Sequence, residues 1–305
     1  MTPPTALILG ESLIDIVRRG KSENEHPGGS PMNVAVGLSR LEMPTTLGTW
    51  IGPDERGRAI RRHLADSGVH LVPGSDGAEE TSTAIATIDD SGSARYQFSL
   101  SWQLPPIPKW LHPAVVHAGS IAAVLEPGGA AVVASLKAAH GAATITYDPN
   151  VRPAIMGSAD KVSLRIQELV SLADVVKVSE EDLAYLYPDG DVMEEAAHWG
   201  EAGPAIVVVT KGKGGAVGLT ASGLWVEVPS AAAVVVDTVG AGDSFMAGLI
   251  WALGQSGLLG GSRRGALRAI GEACLRDVLD QATRIAAFTV GRAGANPPRL
   301  AQLLG

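Results

Sequence analysis

The most informative segment of this 305-residue chain reads Asp237-Thr238-Val239-Gly240-Ala241-Gly242-Asp243-Ser244-Phe245. The β-branched run Val234–Val236 precedes it, and an apolar pattern typical of a helix follows it. Together these features predict a strand, a glycine turn and a helix N-terminus. The free N–H groups and the positive dipole end at such a turn suit a phosphate oxygen. Asp243 would then lie at the mouth of an anion site, in position to accept a proton from a hydroxyl group.

A second glycine segment reads Gly28-Gly29-Ser30-Pro31-Met32-Asn33. Ser30 suits the N-cap of a helix, and Pro31 suits the first helical position. The two glycines before them would lie where a small ligand can touch the backbone. Taken alone, either glycine segment is also compatible with an ordinary helix start, in which Asp243 would be a capping residue. The presence of both segments favours a ligand site.

Short β-branched runs alternate with helical patterns along the chain, which is typical of a doubly wound α/β sheet. The predicted strands are Ala6–Leu9, Val115–Ala118, Thr144–Tyr147, Val175–Val178 and Ile206–Thr210. The predicted helices include Ser30–Leu41, Glu55–Asp66, Gly128–His140, Lys161–Leu172 and Asp191–Gly200. Because the strands are continuous apolar runs, we expect parallel strands that are buried on both faces.

Three half-polar runs interrupt this alternation and predict a small sheet beside the main one. They are Leu13–Arg18, Thr83–Asp89 and Ala94–Leu100. The sequence Asp89-Asp90-Ser91-Gly92 predicts a hairpin turn between the last two runs.

The composition argues against several classes of function. Acidic residues outnumber basic ones by 32 to 24, the net charge is -8 and no stripe of Lys and Arg occurs, which disfavours a nucleic-acid partner. Cys274 is the only cysteine, so neither an intrachain disulfide nor a cysteine zinc site can form. The first residues lack the features of a signal peptide, and no apolar run resembles a membrane span. We therefore expect a cytoplasmic protein.

The two glycine segments resemble the C-terminal and N-terminal signatures of the ribokinase-like (PfkB) carbohydrate kinases. The resemblance implies that the backbone of Gly240, Ala241 and Gly242 forms an anion hole. It also implies that Asp243 is the catalytic base, which helps a sugar hydroxyl attack ATP.

The sugar-binding residues implied by this resemblance lie near the N-terminus. They are Gly28, Gly29 and Asn33 of the N-terminal signature, together with Asp15, which follows the first predicted strand. A carboxylate can accept hydrogen bonds from neighbouring hydroxyl groups, which is a common way to hold a sugar. Without the resemblance, Asp15 would be interpreted as a solvated residue of an edge strand.

The segment Asp148–Pro153 resembles the part of the family that lies near the transferred phosphate. The resemblance implies that Asn150 contacts the substrate. It also implies that Arg152 stabilises phosphate charge in the transition state.

The segment Thr210–Gly215 resembles the nucleotide loop of the family. The implied ATP-binding residues are Thr210, Gly212 and Gly215, together with Gly242. The family often carries Asn and Glu near a water-bound magnesium, where this chain has Ser179 and Asp182. Asp182 is therefore a candidate ligand of Mg²⁺ through water. The simpler alternative is that Ser179 caps a helix whose first turn is acidic.

The resemblance implies one ribokinase-like α/β domain over residues 1–305, with a central, mostly parallel sheet flanked by helices and a small β-sheet lid. The lid would comprise about residues 12–18 and 82–103. Tyr96, Phe98 and Trp102 would cover the sugar and exclude water, which protects ATP from hydrolysis.

The resemblance also implies a sugar substrate with ATP and Mg²⁺, and it leaves a requirement for K⁺ open. A homodimer that pairs through the lid is a further expectation. Apolar residues on an unpaired edge, such as Ile14, Ile85 and Ile88, would otherwise be exposed.

Within the family the chain most resembles the fructokinases, which implies transfer of the γ-phosphate of ATP to the 6-hydroxyl of fructose. The carboxylate of 2-keto-3-deoxygluconate would need a committed cation, and Gln97 follows Tyr96 where kinases of that acid usually have an arginine. A 2-keto-3-deoxygluconate kinase, a ribokinase and a nucleoside kinase remain alternatives, as does a non-catalytic sugar or nucleotide sensor. The intact Asp243 argues against a sensor, because a sensor needs no base.

Overall fold

A computed structural model of the chain describes residues 4–20, 22–89, 94–231 and 234–304. The strands within these ranges are β1 (Ala6–Leu9), β2 (Leu13–Arg19), β3 (Ser22–Gly28), β4 (Thr45–Gly48), β5 (His70–Leu71), β6 (Thr83–Ile88), β7 (Ala94–Ser99), β8 (Val115–Gly119), β9 (Thr144–Asp148), β10 (Val175–Ser179), β11 (Ile206–Thr210), β12 (Ala216–Thr220) and β13 (Trp225–Val228). The α-helices are α1 (Ser30–Arg40), α2 (Glu55–Ser67), α3 (Gly128–Ala139), α4 (Pro153–Met156), α5 (Ala159–Leu172), α6 (Glu180–Leu186), α7 (Val192–Glu201), α8 (Ala241–Gln255), α9 (Arg264–Arg268), α10 (Glu272–Val290) and α11 (Leu300–Leu304). No helix within the described residues is long and apolar enough to cross a bilayer.

The main sheet has nine strands in the described part of the chain, in the order β13-β12-β11-β10-β9-β8-β1-β4-β5. All neighbours pair in parallel except β11 with β12 and β12 with β13, which are antiparallel. Successive residues of β11 pack into two different hydrophobic cores, one on each face of the sheet. Ile206 and Val208 pack with α1, α8 and α10, whereas Val207 and Val209 pack with α3, α5 and α7. The predicted doubly wound architecture, with helices on both faces, is therefore confirmed.

The five predicted main-sheet strands are all present, and their bounds agree to within one residue. The sequence analysis did not identify the strands at the two ends of the main sheet, β4 and β5 at one end and β12 and β13 at the other. These strands are two to five residues long, so a periodic pattern has little length in which to appear.

The predicted strand Val234–Val236 is wrong. The three side chains are 82%, 52% and 60% exposed, and the segment is held by N–H groups of Val236 and Asp237 that donate to the carbonyl of Val290 at the end of α10. Within the described residues the main sheet ends at β13, so this segment has no neighbouring strand. A β-branched composition does not form a strand unless a partner is available.

The smaller sheet has the order β3-β2-β6-β7, in which β2 and β6 pair in parallel and the other two pairs are antiparallel. Its strands β2, β6 and β7 were predicted, whereas β3 was not, because its sequence is polar. Glu23, Glu25 and Pro27 make β3 an exposed edge that resists further pairing. Most of the predicted hairpin turn, Asp90–Gly92, lies outside the described residues.

The two faces of the smaller sheet differ in their surroundings. Ile16 pairs with Ile85, and both pack against the core that contains α1 and α8. Asp15 pairs with Ala84, which pairs with Phe98, so these residues share the opposite face. We call this opposite face, which also carries Tyr96, the open face.

The prediction that Ile14 would be exposed at an unpaired edge is wrong. Ile14 is 1% exposed and belongs to the main core, and β6, which carries Ile85 and Ile88, is an inner strand. The edge strands are β3 and β7. Which strands form the edges depends on the strand order, and local sequence patterns do not reveal that order.

Candidate active site

The segment with the C-terminal signature forms a tight turn followed by α8. Gly240 is the N-cap of α8 with φ 74°, and a Cβ there would lie 2.6 Å from the Cβ of Ala295, so glycine is required. Asp237 stabilises the turn by accepting hydrogen bonds from the N–H groups of Val239 (3.0 Å) and Gly294 (2.8 Å), which lower its pKa. The first-turn N–H groups have no partner within the helix and suit an anion.

The carboxylate of Asp243 joins the two glycine segments. It is 8% exposed, and its Oδ1 accepts a hydrogen bond of 2.6 Å from the Ser30 hydroxyl. Its Oδ2 accepts a hydrogen bond of 2.8 Å from the Asn33 amide, 210 residues away in the sequence. The predicted base and one predicted sugar-binding residue are therefore in direct contact.

The prediction that Ser30 is the N-cap of α1 is wrong. Gly29 occupies the N-cap with φ 116°, Ser30 is the first helical residue, and no side chain caps this helix. The Ser30 hydroxyl donates to Asp243 instead, because the packing of α1 on α8 places a carboxylate, which is the stronger acceptor, within reach.

Asp15 lies on β2 next to the same site. Burial raises its pKa from 3.8 to about 6; His26 and Arg152 oppose the shift, and Asp243 adds to it. The electrostatic influence of Arg152 and Asp243 on Asp15 means that these three predicted residues share one region. A side chain at Gly28 would overlap the Asp15 carboxylate, so the first glycine of the N-terminal signature makes room for Asp15.

Glu11 is a buried carboxylate that the sequence analysis did not identify. Its Oε2 accepts a hydrogen bond of 3.1 Å from the Ala122 N–H, and its carbonyl oxygen lies 2.6 Å from where a Cβ on Gly29 would be. Burial raises its pKa from 4.5 to about 7; hydrogen bonds, including one with Ser120, oppose the shift, and Asp243 adds to it. The available signal was a charged residue two positions after the end of a fully buried strand.

We predict that Glu11 makes the stability of the fold depend on pH. A carboxyl whose pKa is higher in the folded state stabilises the fold fully below its unfolded pKa, and this contribution is lost as pH rises through the folded pKa. The window therefore runs from pH 4.5 to about 7. Glu11→Gln cannot titrate, so we expect it to gain about 2 to 3 kcal/mol of unfolding free energy relative to the natural protein between about pH 5 and about pH 8.

Urea unfolding of both proteins at the two pH values measures this effect. Asp15 and Asp148 also have raised pKa values, but they titrate in both proteins and cancel in the difference. A difference in unfolding free energy that stays constant with pH would contradict the prediction.

Lys177 and Asp148 form a buried ion pair that the sequence analysis also missed. The Lys177 Nζ lies 2.9 Å from the Asp148 Oδ2, and the two side chains are 4% and 1% exposed. The Nζ would also lie 3.1 Å from a Cβ on Gly242, so a cation lies directly behind the glycine turn. A lysine inside the apolar strand β10 was the signal that could have revealed it.

The charges of this pair depend on each other. Burial disfavours the charge of Lys177, but Asp148, Asp182 and Asp243 outweigh burial and raise its pKa. Burial raises the pKa of Asp148 to about 6, although Lys177 opposes the shift. The lysine therefore stays charged at neutral pH.

The loop after β9 carries the candidates Asn150 and Arg152. Asn150 has φ 39°, and its N–H donates to the Asp148 Oδ1 over 3.2 Å. The Arg152 side chain is exposed, and its guanidinium donates to the carbonyl of Val151 over 3.0 Å. The guanidinium of Arg152 therefore lies at the surface beside the site, hydrogen-bonded to its own loop.

Asp182 forms the capping box with Ser179 that the simpler interpretation expected. Its Oδ1 also accepts a hydrogen bond of 2.9 Å from the Val151 N–H, which ties α6 to the loop that carries Arg152. The described residues contain no group of three or more His, Cys, Asp or Glu side chains that could hold a metal ion by themselves. A single carboxylate still fits Mg²⁺, which usually retains waters and shares its ligands with phosphates.

The predicted nucleotide loop follows β11. Thr210 pairs in register with Ser179, so the loop and α6 begin at the same end of neighbouring parallel strands. Gly212 has φ 52° and is exposed, whereas Gly215 is buried against the carbonyl of Val228. The carboxyl ends of β9, β10 and β11 thus form one edge, where ligands bind in open α/β sheets.

A cavity of about 380 Å³ lies between the smaller sheet and α4. It is lined by Phe98, Leu100, Trp102, Leu125, Glu126, Ala154 and Ile155. Trp102 is only 7% exposed, and its indole N–H donates to the carbonyl of Ala122, so it belongs to the core rather than to a mobile cover. Tyr96 is 61% exposed, and its ring lies parallel to that of Phe98 at 6.2 Å.

A glycine turn at a helix N-terminus, a carboxylate beside it and a buried cation behind it, at the carboxyl edge of a parallel sheet, are the features of a phosphoryl-transfer enzyme. Comparison with known proteins gives the family. The model of the pfkB family of carbohydrate kinases matches residues 7–302. The chain belongs to this family.

Individual relatives agree with this assignment. The fructokinase of Rhizobium leguminosarum bv. trifolii is 33% identical over 267 residues, which is 83% of this chain and 81% of that protein. The crystal structure of a Vibrio cholerae O395 fructokinase with fructose, ADP and potassium ion is 26% identical, covers 97% of this chain and 95% of its own, and has a TM-score of 0.78. The fructokinase of Xylella fastidiosa with bound ATP shares the fold, with 23% identity, coverage of 98% and 97%, and a TM-score of 0.83.

These findings confirm the ribokinase-like fold and the family that the two signatures indicated. The protein is an ATP-dependent sugar kinase.

Proposed function

We propose that the protein phosphorylates the 6-hydroxyl of fructose. The observation that carries the proposal is the Asp243 carboxylate, which lies at the start of α8 in contact with Asn33 and within electrostatic range of Asp15 and Arg152. Relatives described as fructokinases, at about 30% identity, support a hexose as the acceptor. In the proposed complex Asp15, Asn33, Asn150 and the backbone of Gly28 and Gly29 hold the sugar.

We propose that Asp243 orients the acceptor hydroxyl and takes its proton late in the reaction. The transition state of phosphoryl transfer is loose, so positioning and charge stabilisation contribute more than early proton removal. The N–H groups of the turn at Gly240, Ala241 and Gly242 would hold the transferring phosphoryl group, with the Lys177 ammonium behind them. Arg152 would add positive charge from the open side.

The nucleotide would extend from the turn towards β11. Thr210, Gly212 and Gly215 would hold it, and the exposed valines at 234–236 offer an apolar surface for a purine ring. Mg²⁺, when bound to the ATP phosphates and through water to Asp182, would neutralise phosphate charge. The potassium ion in the Vibrio cholerae relative supports a comparison of turnover in K⁺ and in Na⁺, measured as ADP release.

We predict that kcat/KM for fructose exceeds that for 2-keto-3-deoxygluconate by at least about tenfold. Gln97 and Arg95 alternate with Tyr96 and Phe98 along β7, so they point away from the open face that carries Asp15. Asp15 would repel a carboxylate, and Arg152 is the cation best placed to attract it. An ADP-release assay across fructose, ribose, 2-keto-3-deoxygluconate and adenosine measures the preference.

A higher kcat/KM for the sugar acid would refute the assignment and would point to Arg152 as the residue that binds its carboxylate.

A nucleoside is the second candidate acceptor. The cavity beside Phe98 and Trp102 could accept a ring attached to the sugar. Turnover of adenosine above fructose would favour that candidate.

We propose that the smaller sheet, including about residues 12–18 and 82–103, acts as the lid and pairs with that of a second copy through its open face. Tyr96 exposes 61% of its surface there, and Val17 lies on the same face.

We predict that light scattering reports a dimer and that Tyr96→Arg shifts the equilibrium towards the monomer. Trp110→Arg, at a side chain that is 68% exposed outside this sheet, is the matched control. A natural protein that is monomeric at assay concentration would contradict the prediction.

A further inference from the structure

The hydroxyl of Ser30 is in direct contact with the proposed base. Its Oγ lies 2.6 Å from the Asp243 Oδ1, and both residues are 8% exposed. Because the Asn33 amide donates to Oδ2, each oxygen of this carboxylate accepts one hydrogen bond from α1. The base is therefore held from both sides by α1.

The Ser30 hydroxyl does not cap its own helix. A serine in the first turn of a helix commonly caps the backbone, but α1 has no side-chain cap, and its N-cap is Gly29. The hydroxyl bonds across to α8 instead. Its position next to Asp243 is thus a property of the site rather than of the helix.

A sugar kinase must transfer its phosphoryl group to the sugar and not to water. A water molecule bound to Asp243 Oδ1 would lie beside both the base and the anion turn, which is the position of a nucleophile. In this structure the Ser30 hydroxyl fills one of the acceptor positions of Oδ1.

We propose that Ser30 is a positioning residue that fixes the Asp243 carboxylate and keeps water away from its Oδ1 until the sugar hydroxyl arrives. This inference rests on the proposed role of Asp243 as the base. Removal of the hydroxyl leaves a buried carboxylate oxygen with an unfilled acceptor position and a space of about one hydroxyl group. A polar space of that kind admits water.

The test is the release of ADP from MgATP without any sugar. We expect Ser30→Ala to raise this rate at least about tenfold, which is below the range for a fully positioned general base. Ser30→Thr retains a hydroxyl and should stay close to the natural rate. The matched control is Ser67→Ala, because Ser67 is a buried serine at the end of α2 that accepts from Arg40, far from Asp243 in the fold.

A loosened structure would lower the rates with and without sugar, whereas loss of water exclusion raises the rate without sugar. In the double variant Ser30→Ala/Asp243→Asn the increase should disappear, because the activated water needs the carboxylate. An unchanged rate in Ser30→Ala, or an increase that persists in the double variant, would overturn the inference.

Failure of the proposed base has a different signature. If Asp243→Asn alone kept full sugar-dependent turnover, Asp243 would not be the base, and both proposals would be rejected. If Asp243→Asn lost turnover while Ser30→Ala showed no extra ADP release, only the role of Ser30 would be rejected.

Discussion

Asp243→Asn should lower kcat by at least about a hundredfold, the lower limit for a positioned general base. The change is nearly isosteric, the amide oxygen can still accept from Ser30, and the Asn33 amide can turn over to accept from the new NH2 group, so the fold should survive. The substitution removes the negative charge that, in the proposed mechanism, takes the proton of the sugar hydroxyl. Steady-state ADP release with saturating sugar and MgATP measures the effect.

Two controls separate chemistry from folding. Thermal unfolding and ATP binding by calorimetry should resemble those of the natural protein. Asp277→Asn, at an exposed position on α10, should leave kcat unchanged. Near-normal turnover in folded Asp243→Asn would remove Asp243 from the assigned role.

Lys177→Met should cause the largest loss of stability among the substitutions considered. It leaves the Asp148 carboxylate buried without its cation, which typically costs about 3 to 5 kcal/mol of unfolding free energy. The double variant Lys177→Met/Asp148→Asn removes both charges and keeps similar volumes, so it should recover most of that loss. Urea unfolding of the three proteins measures the series.

Activity should follow a different pattern from stability. The double variant should remain at least about tenfold slower than the natural protein, because the ammonium behind the turn at Gly242 is still missing. Lys137→Met is the matched control, since its ion pair with Glu168 is exposed and exposed pairs contribute at most about 1 kcal/mol. A double variant with both normal stability and normal kcat would show that Lys177 has no part in phosphate binding.

The sequence predicted best those strands whose whole pattern is contained in a few adjacent residues. The strands β1, β8, β9, β10 and β11 are apolar runs flanked by turns, and each was predicted to within one residue. Short or polar elements such as β3 and β13 were missed. Their formation depends on a neighbouring strand that supplies hydrogen bonds, and periodicity does not reveal that neighbour.

The same limit applied to the site. The two signatures indicated Asp243 and Asn33 separately, because each is embedded in an unusual glycine pattern. Glu11 and Lys177 carry no such pattern. Their importance follows from full burial and from the groups that surround them, which are far away in the sequence.

By itself the sequence determined the class of fold, the family and the location of the glycine turn before α8, because alternating apolar runs and glycine turns are encoded in adjacent residues. The tertiary structure decided which groups meet. It joined Ser30 to Asp243 across 213 residues, placed Lys177 behind Gly242, and left Val234–Val236 exposed instead of in a strand. Such contacts arise when helices and strands pack on a common core, and the free energy of packing depends on the partner surface as much as on the residue itself.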